Sequence, residues 1–204
     1  MLRFLKPLIT VTLLMIVTAH GFAQRNRLGF FINMAGYFPS EDNIKSGYGS
    51  GLGAVFFVNQ NVSLSLEWKY GRYGVEKKEG EFLSGTLYIT PLLASIHYNF
   101  QTGTSFSPYV FAGGGLFFST IGLDERQTSE DKNVRKQEIK NGLGLYGGIG
   151  STIRLNDWLY LFVEGLYLRR KADIDTIYLD NSPATTFKAN LSAFSVLFGL
   201  DYFY

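Results

Sequence analysis

Side chains that alternate in character at every second residue restrict what this chain can fold into more than any other feature. In "VSLSLEWKYG", Val62, Leu64, Leu66, Trp68 and Tyr70 fall on one face, and Ser63, Ser65, Glu67, Lys69 and Gly71 on the other. In "GLGLYGGIGSTIRL", Leu143, Leu145, Ile149, Ile153 and Leu155 oppose Gly144, Tyr146, Gly148, Gly150, Thr152 and Arg154. Weaker versions occur in "RLGFFINMAGYF", "GYGSGLGAVFFV", "TLYITPLLASIHYNF", "PYVFAGGGLFFS", "WLYLFVEGLYLRR" and "FSVLFGLDYFY". A period of two is the signature of extended strands with two unlike faces. Eight such segments are present, and no segment from Gln24 onward has a helical period.

The connections add a second pattern. Tight links, "NQN", "QTGTSFS" and "ND", alternate with longer polar ones, "PSEDNIKS", "VEKKEGEFLS", "LDERQTSEDKNVRKQEIK" and "KADIDTIYLDNSPATTFK". An even number of antiparallel strands, with tight turns on one rim and extended loops on the other, is the build of an outer-membrane barrel. The oily rows then face acyl chains and the mixed rows face inward. A bilayer offers no water to unpaired backbone groups, so the sheet must close on itself, the last strand pairing with the first. Tyr48, Trp68, Tyr70, Tyr98, Trp158, Tyr202 and Tyr204 are expected at strand ends, as aromatic girdles.

The N-terminal stretch agrees with export. Arg3 and Lys6 precede an apolar run from about Leu8 to Val17, closing on Gly21-Phe22-Ala23. This predicts a secretory signal peptide over residues 1–23 and a mature barrel domain over residues 24–204. Of the 19 Lys and Arg, those two lie in the leader, leaving 17 against 17 Asp and Glu. A balanced charge gives no electrostatic case for nucleic acid as a partner. Cysteine is absent, which excludes a disulfide framework and a thiolate metal site.

"SPYVFAGGGLFFS" and "NLSAFSVLFGLDYFY" resemble the outer-membrane β-barrel domain family common in Bacteroidetes-type bacteria, similar in architecture to OmpA- and OmpX-like barrels. The resemblance runs from Arg27 to Tyr204. It implies an all-β fold: an eight-stranded antiparallel up-and-down transmembrane barrel in the outer membrane of a Gram-negative bacterium. It further implies contact with outer-membrane lipid and lipopolysaccharide. The terminal strand ending at Tyr204 resembles the signal read by the barrel-assembly machinery. The family carries no catalytic residues to transfer.

Motifs that suggest chemistry have plainer readings. Gly142, Gly144 and Gly147 match G-x-G-x-x-G, but a dinucleotide site needs that motif between a strand and a helix. Here it lies within a strand, so no cofactor is expected. "AGGG" at 112–115 lacks the Lys and Ser or Thr of a phosphate loop. Asp173, Asp175 and Asp180 do not have the spacing of a calcium loop, and no metal is expected. Ser95 and His97 share a face and invite comparison with the Ser/His/acid sets of barrel lipid A deacylases. They fall near the tight-turn rim, whereas those enzymes act at the opposite one.

The inward rows place Glu67, Lys69, His97, Arg154, Glu164, Arg170 and Asp201 in the lumen. Charges in a narrow lumen are costly unless paired, so these residues are expected to form an interior polar network of salt bridges. An eight-stranded barrel is just wide enough for its own side chains, which argues against an open pore. The expected role is non-enzymatic, structural or surface-binding, through the long loops and toward an unidentified extracellular ligand. Alternatives are a lipid-modifying enzyme and a narrow channel for small or apolar solutes.

Overall fold

The computed structural model describes residues 28–77, 84–123, 134–178 and 185–204. The expected signal peptide lies outside them. The strands are β1 (Leu28–Pro39), β2 (Ile44–Phe57), β3 (Val62–Val75), β4 (Gly85–Asn99), β5 (Phe106–Leu123), β6 (Val134–Ile139), β7 (Gly142–Arg154), β8 (Leu159–Arg169), β9 (Lys171–Tyr178), β10 (Thr185–Asn190) and β11 (Ala193–Phe203). No helix among the described residues is long and apolar enough to cross a membrane.

Eight strands close into an antiparallel barrel in the order β1-β2-β3-β4-β5-β7-β8-β11. The seam is paired from Gly29↔Phe203 to Pro39↔Ala193. No barrel edge is left, which a bilayer requires. The register seats the two faces as the alternation demands. Ile32, Met34, Leu52, Leu66, Ile96, Leu116, Leu145, Ile149 and Phe198 point outward and exposed. Their neighbours point inward, where Ser63, Glu67, Lys69 and Ser195 are buried.

Aromatic pairs mark both borders of the oily belt. On the turn side Tyr98 meets Phe100 (5.1 Å between ring centroids) and Trp158 meets Tyr202 (5.6 Å). On the loop side Phe38 meets Phe194 (6.4 Å) and Tyr70 meets Tyr88 (6.2 Å). Trp68 departs from the expected girdle. It pairs in register with Leu52 and Leu92, halfway along β3, and lies within the belt.

The long connections depart further from expectation. Strands β3, β4 and β5 run 14, 15 and 18 residues, more than the roughly 9–11 a tilted strand needs to cross a bilayer. Where solvated loops were expected over 123–140 and 171–188, β6, β9 and β10 form a second sheet in the order β10-β9-β6. Ile139, Ile174 and Phe187 stand in one cross-strand row. Ile139, Ala172, Ile174 and Ala189 are buried in the same apolar core as Leu87, Phe117 and Ile121 of the barrel. The opposite face carries Glu138, Lys140, Asp173, Asp175 and Lys188. Lys140 Nζ lies 3.3 Å from Asp175, and the Thr186 hydroxyl donates to Asp175 at 2.6 Å. Charges diluted the alternation of these short strands in the sequence; their burial comes from the barrel beneath them.

Candidate functional site

The lumen divides by depth. Toward the loop rim it is filled by Tyr37, Tyr73, Leu93, Phe117, Tyr146 and Leu166, which leave only a gap of about 30 Å³. Toward the tight-turn rim it holds a cavity of about 210 Å³, lined from Gln60, Asn99 and Gln101 at the mouth to Glu67 and Glu164 in the floor.

Glu67 sits on β3 opposite Gly53 of β2 and Leu93 of β4. Lys69, two residues on and on the same face, places Nζ 3.0 Å from Glu67 Oε2, and both side chains are more than nine-tenths buried. Asn33 Nδ2, on β1, donates to Glu67 Oε1 at 2.5 Å over the intervening strand β2. Gly51 makes this convergence possible: a Cβ there would stand 2.9 Å from Asn33 Oδ1 and 3.0 Å from Glu67 Oε1. A buried ion pair is tolerated when further hydrogen bonds satisfy it, and Asn33 supplies one.

On the other wall, Tyr109 of β5, Gly150 of β7 and Glu164 of β8 form one cross-strand row. The Tyr109 hydroxyl donates to Glu164 Oε1 at 2.7 Å. Asp201, on β11 opposite Phe31 and Tyr160, lines the same cavity. It is 8% exposed.

His97 stacks on Phe111, with ring centroids 5.1 Å apart and planes 19° apart. Its Nε2 lies 2.8 Å from Ser95 Oγ and 3.1 Å from Ser65 Oγ, and the two hydroxyls are 2.6 Å apart. In a Ser/His/acid set a third group holds the other ring nitrogen of the base. Among the described residues none is bonded there.

Two residues of the expected network lie elsewhere. Arg154 is half-exposed at the turn rim and pairs with Asp157, three residues on in the β7–β8 turn. Its strand ends there, so the inward row runs out into solvent. Arg170 is buried at the opposite end of the lumen. Its Nη1 donates to Ser119 Oγ at 2.7 Å and its Nη2 to the Lys140 carbonyl at 3.3 Å, and its guanidinium lies 5.0 Å from the Phe117 ring centroid. It shares a face with Glu164 but stands six residues higher. Glu67–Lys69 is thus the ion pair within the described lumen, and the remaining polar contacts there are hydrogen bonds.

The partners that complete these contacts, Asn33, Ser65, Tyr109 and Ser119, escaped the sequence reading. Asn33 had a usable signal, a polar residue between lipid-facing Ile32 and Met34. Tyr109 had none, because its reach depends on a glycine in a strand distant in sequence. Asp173 and Asp175 lie on the outer sheet, and Asp180 is outside the described residues. Among the described residues no three His, Asp or Glu are grouped to hold a metal.

Comparison with solved structures places the fold. The outer membrane protein OprG from Pseudomonas aeruginosa superposes with a TM-score of 0.66 at 13% identity, covering 89% of this chain and 97% of that one. Neisserial surface protein A gives 0.62 at 15% identity, over 87% and 97% of the two chains. Ail, the attachment invasion locus protein of Yersinia pestis, gives 0.53 at 15% identity, over 89% and 100%. No curated protein sequence matches the chain. The model of the outer membrane protein beta-barrel domain matches residues 9–196. A closed barrel, an apolar outer belt bordered by aromatics and this match agree: the chain belongs to the outer membrane protein beta-barrel domain family and resides in the outer membrane.

Proposed function

We propose that this barrel is a non-enzymatic surface-binding protein that presents its second sheet, β6, β9 and β10, to the cell exterior. The observation that carries the reading is the contrast between the two ends of the lumen. Toward the loop rim, which faces outward in such barrels, the interior is packed shut. Above it the two longest connections build an ordered sheet anchored in the barrel core. Ordering a loop costs conformational entropy of about 1–2 kcal/mol per residue, and a rigid platform avoids that cost when a ligand binds. The exposed face carries Glu138, Lys140, Lys171 and Lys188, suited to a polar or charged ligand.

The incomplete set around His97 supports the non-enzymatic part of the proposal, and the packed upper lumen supports a closed rather than a conducting barrel. The oily belt is suited to outer-membrane lipid and lipopolysaccharide. The exposed aromatics Tyr202 and Tyr204 suit recognition of the last strand by the assembly machinery.

The test compares cells bearing the full chain with cells bearing a chain in which 124–140 and 171–190 are replaced by short glycine-rich turns. Both are panned against arrays of extracellular polysaccharides and proteins. A ligand held by the first and lost by the second is expected; equal retention overturns the reading. Steady conductance in planar bilayers, or a mass change in added lipid A, would favour a channel or an enzyme instead.

A further inference from the structure

We infer that the cavity at the turn rim is a binding site, entered from the periplasm, for a small organic ammonium ion. Three carboxyl side chains line the cavity, those of Glu67, Glu164 and Asp201, and among the described residues neither Lys nor Arg does. Lys69 neutralises Glu67 from above, from the floor side of the cavity. The other cations of the expected network are committed elsewhere, Arg154 to Asp157 at the rim and Arg170 to Ser119 at the far end. Glu164 receives only the neutral Tyr109 hydroxyl.

Asp201 is the independent pointer. It is more than nine-tenths buried, it lines the cavity, and among the described residues it accepts no hydrogen bond and meets no cation. Its carboxyl oxygens open onto the cavity, and a cation there would meet them. Its neighbours specify the kind of cation. Tyr160 stands directly opposite Asp201 in register, and Phe31 directly opposite on the other side. Phe162 and Phe203 complete an aromatic wall. Ring faces attract ammonium groups. Among the described residues no three carboxyls or histidines converge on a point as a metal ion demands. The volume of about 210 Å³ admits a short aliphatic amine and excludes a folded peptide. The mouth lies among Gln60, Asn99 and Gln101 of the tight turns, so entry is from the periplasmic side.

The experiment uses the full chain in lipid nanodiscs, titrated by calorimetry with 1,4-diaminobutane, with 1,4-butanediol as the neutral analogue and with magnesium chloride. Saturable binding of the diamine alone is expected, weakened at least tenfold in Asp201→Asn and again in Glu164→Gln. Folding of each variant is verified by its heat-sensitive gel mobility. Asp42→Asn, in the exposed link between β1 and β2, should bind as the unaltered chain does. Absence of diamine binding, equal binding of the diol, or full binding by a folded Asp201→Asn variant would overturn the inference. Magnesium binding in place of the diamine would overturn it in favour of a metal site.

Discussion

Tyr109 lies across Gly150 and donates its hydroxyl to Glu164 at 2.7 Å, joining β5 to β8 over the strand between them. A Cβ on Gly150 would stand 2.5 Å from Tyr109 Cζ, closer than such atoms approach. Glycine at that position is therefore a requirement of the neighbouring tyrosine rather than of the local backbone.

Gly150→Ala should displace the Tyr109 ring and break the bond to Glu164. A loss of about 1–3 kcal/mol is expected from an orphaned buried acceptor. Tyr109→Phe, which removes only the hydroxyl, should cost a similar amount without the steric part. Urea unfolding from lipid vesicles measures both, and a Gly150→Ala variant as stable as the parent would contradict the account.

Lys69→Met leaves Glu67 buried with Asn33 as its remaining partner. Removing one member of a buried pair costs about 3–5 kcal/mol. The double variant Glu67→Gln with Lys69→Met should lose much less than the two single losses together, because the unpaired charge is gone. Additive losses in a double-mutant cycle would refute the coupling.

Arg170→Ala should loosen the outer sheet while sparing the barrel. Arg170 stands at the corner between β8 and β9, where its backbone N–H donates to Ser192 Oγ at 3.1 Å and its carbonyl accepts from Leu191 at 3.0 Å. Its side chain ties that corner to Ser119 of β5. Faster limited proteolysis at 171–190, with unchanged gel mobility of the barrel, is the expected result.

Met34→Arg probes which side of the cylinder meets hydrocarbon. Met34 is 73% exposed, midway along the outward row of β1. A cationic side chain near the bilayer midplane of such a barrel costs about 2–4 kcal/mol. Ser46→Arg, above the belt, should be nearly neutral. Equal stability of the two variants would contradict the assignment of the belt.

Acid should loosen the outer sheet through Asp175. The Thr186 hydroxyl, and less strongly Lys140, hold its carboxyl below the usual 3.8. A depressed folded pKa contributes stability above the unfolded value and loses it as pH falls through the folded one. Amide exchange in β9 and β10 should therefore rise as pH drops below about 3.8, corrected for intrinsic rates. Thr186→Val should move the onset to higher pH, and an unmoved onset would remove Asp175 from the explanation.

The number of barrel strands, the closed up-and-down order and the lipid-facing rows were legible in the sequence, because each follows from a period of two and from the need to pair every backbone group in a bilayer. Glu67, Lys69, Glu164 and Asp201 could be placed inward by the same parity. Parity fixes the face of the wall but says little about height or reach. Arg154 and Arg170 obey it, yet the first is spent on a turn aspartate and the second on the far end of the lumen. The tertiary structure alone decided that Tyr109 reaches Glu164 across a glycine, that Asn33 completes Glu67, and that charged connections become a sheet. Each of these depends on which residues of distant strands are brought level, and that register is set by the packing of the whole cylinder rather than by any local stretch of chain.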